Sequence, residues 1–199
     1  MTSQTFKHNV LSVALFMVAS VGIHAQQPTM QVLIDQSLAK VWSSEKHSAP
    51  SDGGASTDQK SVTPQQPAPE AFLNCIAELK RIDAMFPDSI QPKHQMALQG
   101  LIFSVTYPHA PQTENLLAEA EQTITKMEQM KNADQSDICT LRGFLYMVRI
   151  VQNPAQNGQR YYLEVMEDYE KALKLNPDNE LARQLQQQFL EGMRQATGR

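Results

Sequence analysis

The sequence predicts an all-α protein in which pairs of helices repeat along the chain. From residue 70 onwards, apolar residues recur with the 3.6-residue period of amphipathic helices. Related apolar positions recur at a spacing of about 45 residues, which is typical of a helical repeat array. No stretch alternates between apolar and polar residues over a useful length, so we expect no β-sheet. The composition, 41% hydrophobic and 19% charged, is that of a globular chain.

Residues 1–25 have the pattern of a secretory signal peptide. Lys7 and His8 precede an apolar run, Val10 to Ile23, and the small residue Ala25 stands just before polar residues. The run of about 14 residues is shorter than the ~20 residues that cross a bilayer as a helix, which disfavours a permanent anchor. We therefore expect an exported protein, periplasmic or secreted, without a membrane span after signal cleavage.

Residues 26–43 contain one short amphipathic helix, and residues 44–69 form a linker. The helix carries apolar residues at i, i+3 and i+4 spacing: Met30, Leu33, Ile34, Leu38, Val41 and Trp42. A helix of ~15 residues is marginal alone in water, so it must dock on another surface. The linker is rich in Ser, Gly and Pro, as in disordered tethers. We expect residues 29–43 to dock within their own chain or to swap onto a second copy.

Residues 70–196 form the main domain, which turn-forming residues divide into six predicted helices. The predicted helices span about residues 70–86, 92–106, 113–131, 135–152, 158–175 and 178–196. The breaks between them lie at Pro87–Pro92, Tyr107–Thr113, Asn132–Ser136, Asn153–Gly158 and Asn176–Asp178.

The helix ending at residues 168–179 recurs upstream in weaker copies. In steps of 45 residues, Tyr169 falls on Ile124 and Leu79, and Leu175 falls on Met130 and Met85. The helices between these endings also repeat, at a spacing of 43 residues. The residues expected to pack between repeats are Leu79, Ile82, Gly100, Phe103, Ala120, Ile124, Met127, Gly143, Tyr146, Tyr169, Ala172 and Pro177.

Two glycines occupy equivalent places in the repeated helices. Gly100 and Gly143 both lie within predicted helices, where glycine costs ~1 kcal/mol relative to alanine. Their equivalent positions suggest close approach of another helix, the alternative being two unrelated, tolerated glycines.

These residues resemble the tetratricopeptide repeat (TPR). Gly143 with Tyr146, and Tyr169 with Ala172 and Pro177, match the family's pattern of a small residue and an aromatic, then an Ala and a Pro. The first copy, including Gly100 and Phe103, matches more loosely, and the spacing of 43 to 45 residues exceeds the family's 34. The resemblance covers residues 70–196 and implies a right-handed stack of about six antiparallel helices. The overall layout is similar to exported TPR-like proteins of Gram-negative bacteria.

The resemblance implies a partner groove lined by the first helix of each pair. The predicted groove residues are His94, Ala97, Leu101, Ser104, Asp137, Thr140, Phe144 and Met147. Because they are more apolar than charged, a peptide or amphipathic helix is the expected partner, and the docking helix at residues 29–43 is one candidate. The alternative is that the fold's own curvature buries these residues.

No residue pattern indicates a catalytic, cofactor or metal site. The histidines His47, His94 and His109 belong to no metal-binding motif, and Cys75 and Cys139 fall on apolar repeat positions, where we expect buried, unbridged thiols. The acidic residues at 164–170 share a helix with basic residues, and Glu167 with Lys171 and Glu170 with Lys174 form pairs at i, i+4 spacing, so we interpret this face as solvated. Tyr161 and Tyr162 predict either a binding surface or packing at a helix start.

The expected function is therefore protein–protein interaction without catalysis. A net charge of −4 with scattered basic residues disfavours nucleic acid as a partner. The alternative function is a small exported enzyme or ligand carrier whose pocket is made by the loops near His109 and at Asn153–Arg160.

Overall fold

The computed structural model describes residues 28–42 and 67–197, and all regular secondary structure in these ranges is helical. The all-α prediction is confirmed. The predicted signal peptide and nearly all of the predicted linker lie outside the described residues. The helices are α1 (Met30–Trp42), α2 (Pro69–Met85), α3 (Ile90–Thr106), α4 (Thr113–Glu128), α5 (Gln135–Gln152), α6 (Pro154–Leu175) and α7 (Glu180–Thr197).

Helices form at all six positions predicted within residues 70–196, but two of them begin two or more residues earlier than predicted. Pro92 lies inside α3, and Pro154 is the first residue of α6. Proline fits the first turn of a helix because the N–H it lacks has no partner there. Asn153 caps α6, since its Oδ1 accepts a hydrogen bond of 3.3 Å from the Gln156 N–H. The segment Asn153–Gly158, predicted as a loop, is therefore a one-residue corner followed by helix.

The helices pack in chain order, with additional contacts between alternate helices. Each helix contacts the next along the chain, α3 also contacts α5, and α5 also contacts α7. The most extensive contact joins α5 and α6. The largest apolar cluster is formed by residues of α3 to α7. A second cluster joins α1 and α2 to Phe103 of α3 and Leu116 of α4.

Helix α1 docks within its own chain, against α2. Its apolar side chains Ile34 and Val41 are buried in the second cluster. Lys40 forms a salt bridge of 2.6 Å with Glu78, and the Trp42 ring meets Phe72 edge-on at 5.9 Å. The face that α1 covers belongs mainly to α2, whereas the predicted groove residues lie on α3 and α5. The expectation that α1 occupies the predicted groove is therefore wrong.

Most residues predicted to pack between the repeats are buried. Tyr146 is half-buried, Pro177 is exposed, and the remaining ten are buried: Leu79, Ile82, Gly100, Phe103, Ala120, Ile124, Met127, Gly143, Tyr169 and Ala172. Met85 and Leu175, which the repeat register also aligned, are exposed. Each is the last residue of its helix, where the chain turns away from the neighbouring helix.

The two glycines have different surroundings. A Cβ on Gly143 would lie 2.9 Å from Cε1 of Tyr169, so α5 and α6 touch here at glycine. A Cβ on Gly100 would lie 3.5 Å from the carbonyl oxygen of Leu116, which is an ordinary contact. The neighbouring helix therefore leaves no room for a side chain at Gly143, as predicted, but it does leave room for one at Gly100.

One acidic residue of α6 corrects the expectation of a fully solvated face. Asp168 is buried, and its carboxylate accepts hydrogen bonds of 2.9 and 3.0 Å from Nε of Arg142 in α5. Arg142 also reaches Glu128 at the end of α4 through a salt bridge of 2.8 Å. These three residues tie α4, α5 and α6 together. The hydrogen bonds that Arg142 donates to Asp168 raise the pKa of Arg142 above its ordinary value.

A buried lysine closes the turn between α2 and α3. The ammonium group of Lys93 donates to Asp83 Oδ1 at 2.6 Å, to the Pro87 carbonyl at 2.6 Å and to the Ser89 carbonyl at 3.0 Å. All three of its donors are thus used, which offsets the cost of burying a charge. The helical period indicates only that residue 93 lies near a helix start and contains no signal for this contact.

Candidate functional site

The predicted groove residues lie close together on α3 and α5, but they do not form an open surface. His94 and Asp137 are half-buried, and the other six are buried: Ala97, Leu101, Ser104, Thr140, Phe144 and Met147. The apolar members belong to the largest core cluster. Burial of these side chains corrects the prediction of an exposed groove at this position and agrees with the alternative, burial by the fold itself.

Two of the predicted groove residues bond to the start of α7. The amide nitrogen of Asn179 lies 2.9 Å from Ser136 Oγ and 3.2 Å from both Asp137 Oδ1 and Thr140 Oγ1. Its amide oxygen accepts a hydrogen bond of 3.0 Å from the Ala182 N–H, which caps α7. Asp137 and Thr140 therefore hold the last helix in place. Burial lowers the pKa of nearby His94, and the negative charge of Asp137 opposes this shift.

An apolar cavity of about 460 Å³ opens where α5 ends, α6 begins and the second half of α7 passes over them; we call it the C-terminal cavity. Helix α7 contacts α5 and α6 less extensively than α5 and α6 contact each other. The residues that line the C-terminal cavity are Met147, Ile150, Val151, Pro154, Gly158, Gln188, Phe189, Gly192 and Met193.

The helices around the C-terminal cavity are held by one local hydrogen bond and by ring contacts between helices. The Asn157 side chain donates a hydrogen bond of 2.6 Å to the Arg149 carbonyl, which fixes the corner between α5 and α6. Tyr162 of α6 packs against Phe189 of α7 with ring centroids 5.6 Å apart, which holds the two helices together beside the cavity. Tyr161 stacks on Tyr146 at 5.2 Å, so both tyrosines of the predicted aromatic pair have packing roles, although they lie in the third turn of α6 and not at its start.

The C-terminal cavity has the chemistry of an apolar binding site. None of its nine lining residues carries a charge, and Gln188 alone among them has a polar side chain. Two of them are methionines, whose unbranched side chains adapt to differently shaped ligands. A volume of about 460 Å³ falls within the ~300–1,000 Å³ of typical ligand sites.

The residue pattern predicts only part of this site. Met147 belongs to the predicted groove, and Pro154 and Gly158 belong to the segment proposed for the alternative pocket. The residues of α7 were missed because the repeat register ends before that helix. The available signal is Gly192, a glycine within a helix of otherwise strong amphipathic pattern.

The residues considered for catalysis do not line the C-terminal cavity. His109 is exposed in the turn between α3 and α4. Cys75 and Cys139 are buried and unbridged, and they belong to different clusters. Burial raises the pKa of Cys75 to about 11 and also raises that of Cys139, so both remain thiols at neutral pH. Within residues 28–42 and 67–197, no three His, Cys, Asp or Glu residues are grouped as a metal ion requires.

Neither protein-family models, nor curated proteins, nor solved structures show a significant match to this chain. Among the helices of the described ranges, none combines the length and the apolar character needed to cross a membrane.

Proposed function

We propose that this protein is an exported, non-catalytic helical-repeat protein that binds another protein. The observation that carries the proposal is the C-terminal cavity, an open site lined by apolar atoms at the end of the helical array. Apolar surface that stays open to water is unfavourable for the isolated chain and is typical of a binding site. The export component rests on the signal-peptide pattern of residues 1–25.

We further propose that the helices form a TPR-like stack of three pairs, α1–α2, α3–α4 and α5–α6, with α7 as a terminal cap. The contacts of α3 with α5 and of α5 with α7 support the stacking of α3–α4, α5–α6 and α7, because stacked pairs bring the first helix of one pair against the first helix of the next. The pair α1–α2 joins this stack through the contact of α2 with α3. Gly143 supports it as well, since close packing of the paired helices α5 and α6 is where a helical repeat needs a small residue.

A binding role fits the chemistry of the C-terminal cavity better than catalysis. A general acid or base must reach its substrate within hydrogen-bonding distance, and none of the nine described lining residues has a titratable side chain. Binding of a partner requires only apolar contact area and a few polar contacts at the edge.

The proposal is tested by affinity capture from the native cell envelope with the wild-type protein and with Phe189→Asp, which places a charge in the cavity wall. We expect one or more proteins to co-purify with the wild type and to be lost with the variant. The control is Gln187→Asp, a charge introduced at an exposed position of the same helix. Identical capture by all three proteins would contradict the role of the cavity, and fractionation to the cytoplasm would contradict export.

A ligand carrier is the second candidate function. It is favoured by Pro154 and Gly158, which come from the segment proposed for such a pocket and line the C-terminal cavity. Native mass spectrometry of the protein isolated from its own cells would show a small apolar molecule that dissociates on collisional activation. A spectrum with the bare protein mass alone would argue against the carrier.

A further inference from the structure

Two glycines line the C-terminal cavity, and no neighbouring side chain or backbone among the described residues requires glycine at either position. Gly158 lies in the second turn of α6 and Gly192 lies in the last third of α7. A Cβ on either residue would meet no heavy atom of the surrounding described residues within 4 Å. Glycine is less favourable than alanine inside a helix, so both positions reduce helix stability with no gain in packing.

The other two helical glycines of the described residues, Gly100 and Gly143, lie next to packed neighbours. The ring of Tyr169 excludes a side chain at Gly143, and Gly100 is in contact with Leu116. Gly158 and Gly192 differ from both because the space beside them is open and belongs to the cavity. Where the described residues leave such space unfilled, a glycine allows the backbone of a ligand to come close.

We propose that the C-terminal cavity binds an uncharged apolar segment of a partner polypeptide whose backbone passes along Gly158 and Gly192. Bulky apolar side chains of the segment enter the space between Met147, Phe189 and Met193. This inference rests on the proposed function and names the partner's chemistry.

The electrostatics of the cavity favour a peptide over a lipid-like ligand. A fatty acid or a phospholipid carries a carboxylate or phosphate head group, which a neighbouring cation would stabilise, and none of the nine lining residues is charged. Gln188 offers an amide N–H₂ donor and an amide oxygen acceptor, the complement of a peptide bond. Charge complementarity therefore selects a neutral occupant that carries amide groups and apolar side chains.

The test uses a displayed library of random 12-residue peptides, selected on the protein expressed from its full sequence. We expect selected peptides to be uncharged and rich in large apolar residues. The peptides are then measured against Gly158→Ala, Gly192→Ala and Gly192→Leu. Each alanine variant should raise the melting temperature, because the helix gains a better former, and should weaken peptide binding. The leucine variant, which fills the space, should weaken binding at least tenfold.

Gly100→Ala is the matched control, because it is a helical glycine outside the cavity. It should leave peptide affinity unchanged. Selected peptides that bind all the variants equally would overturn the cavity as their site while leaving a protein-binding function in place. A library that yields no binder would overturn both proposals. Saturable binding of palmitate that Gly192→Leu abolishes, without peptide binding, would overturn the peptide in favour of a carrier.

Discussion

Gly143 is the residue at which the packing of α5 on α6 is closest. The ring of Tyr169 would lie 2.9 Å from an added Cβ, and both residues are buried, so neither can move aside easily. We expect Gly143→Ala to reduce the free energy of unfolding by ~1–3 kcal/mol, because overpacking strains the core more than the better helix former gains. Urea denaturation followed by circular dichroism measures this change.

Gly100→Ala is the natural comparison for Gly143→Ala. The added methyl would make an ordinary contact at 3.5 Å, and the substitution should be neutral or stabilise the protein by up to ~1 kcal/mol. Equal destabilisation by both substitutions would show that the contact with Tyr169 is not what requires glycine at residue 143.

Asp168 is a second residue whose side-chain contacts should affect the stability of the protein. Its side chain is 8% exposed and pairs with Arg142, which is 31% exposed. We expect Asp168→Ala to cost ~2–4 kcal/mol, because it removes the acceptor of a charge-assisted, bidentate pair and leaves the guanidinium partly buried. Thermal unfolding measures the loss. Glu167→Ala, at an exposed neighbouring position, should stay within ~0.5 kcal/mol of the wild type.

At the scale of the element, the stability of α1 depends on its docking against α2. A helix of 13 residues is too short to be stable alone, and α1 is held by Ile34, Val41 and the Lys40 salt bridge. We expect Val41→Asp to release α1, because a carboxylate would be buried in an apolar cluster. Trp42 is the only tryptophan of the chain; it is 50% exposed and meets the Phe72 ring edge-on, so loss of this contact should shift its fluorescence further towards that of a fully solvated indole.

Val32 provides the control within the same helix. It is 41% exposed, whereas Val41 is 1% exposed, so Val32→Asp should leave the Trp42 emission unchanged. If the emission of Val41→Asp matches that of the wild type, α1 does not depend on this face for docking.

Also at this scale, helix boundaries depend on contacts that the periodicity does not contain. Proline and glycine near residues 153–158 predict a loop, yet the Asn153 cap and Pro154 at the first position start α6 at once. The early start of α6 matters for the site, because it places Pro154 and Gly158 on a helix that lines the C-terminal cavity.

At the scale of the whole molecule, the stability of the protein should depend on pH, because thiol and phenol groups are buried. Burial raises the pKa of Cys75 from 9.0 to about 11, and burial also raises the pKa of Cys139 and Tyr169. An unfolded thiol loses its proton near its ordinary pKa while the folded thiol keeps it, so the folded state binds more protons above this pH. Stability from Cys75 should therefore be fully present below about pH 9 and lost as the pH rises towards about 11.

The measurement is the free energy of unfolding at several pH values between about 8 and 11, for the wild type and for Cys75→Ala. The wild type should lose stability across this range, and the loss should be smaller for the variant because one titrating thiol is gone. A wild-type protein with constant stability up to about pH 11 would show that Cys75 is solvated in the folded state.

The sequence by itself determined the helical class, the approximate position of every described helix and most of the core. These properties are local or periodic: Leu79, Ile124 and Tyr169 are buried because each lies on the apolar stripe of its own helix. Tertiary structure alone decided which faces stay open. It buried the predicted groove on α3 and α5, placed Asp168 beside Arg142 and opened a cavity beside Gly158 and Gly192. The physical reason is that exposure depends on which helices pack against each face, here α5 on α3, α6 on α5 and α7 on both α5 and α6, and no residue pattern within a single helix encodes these contacts.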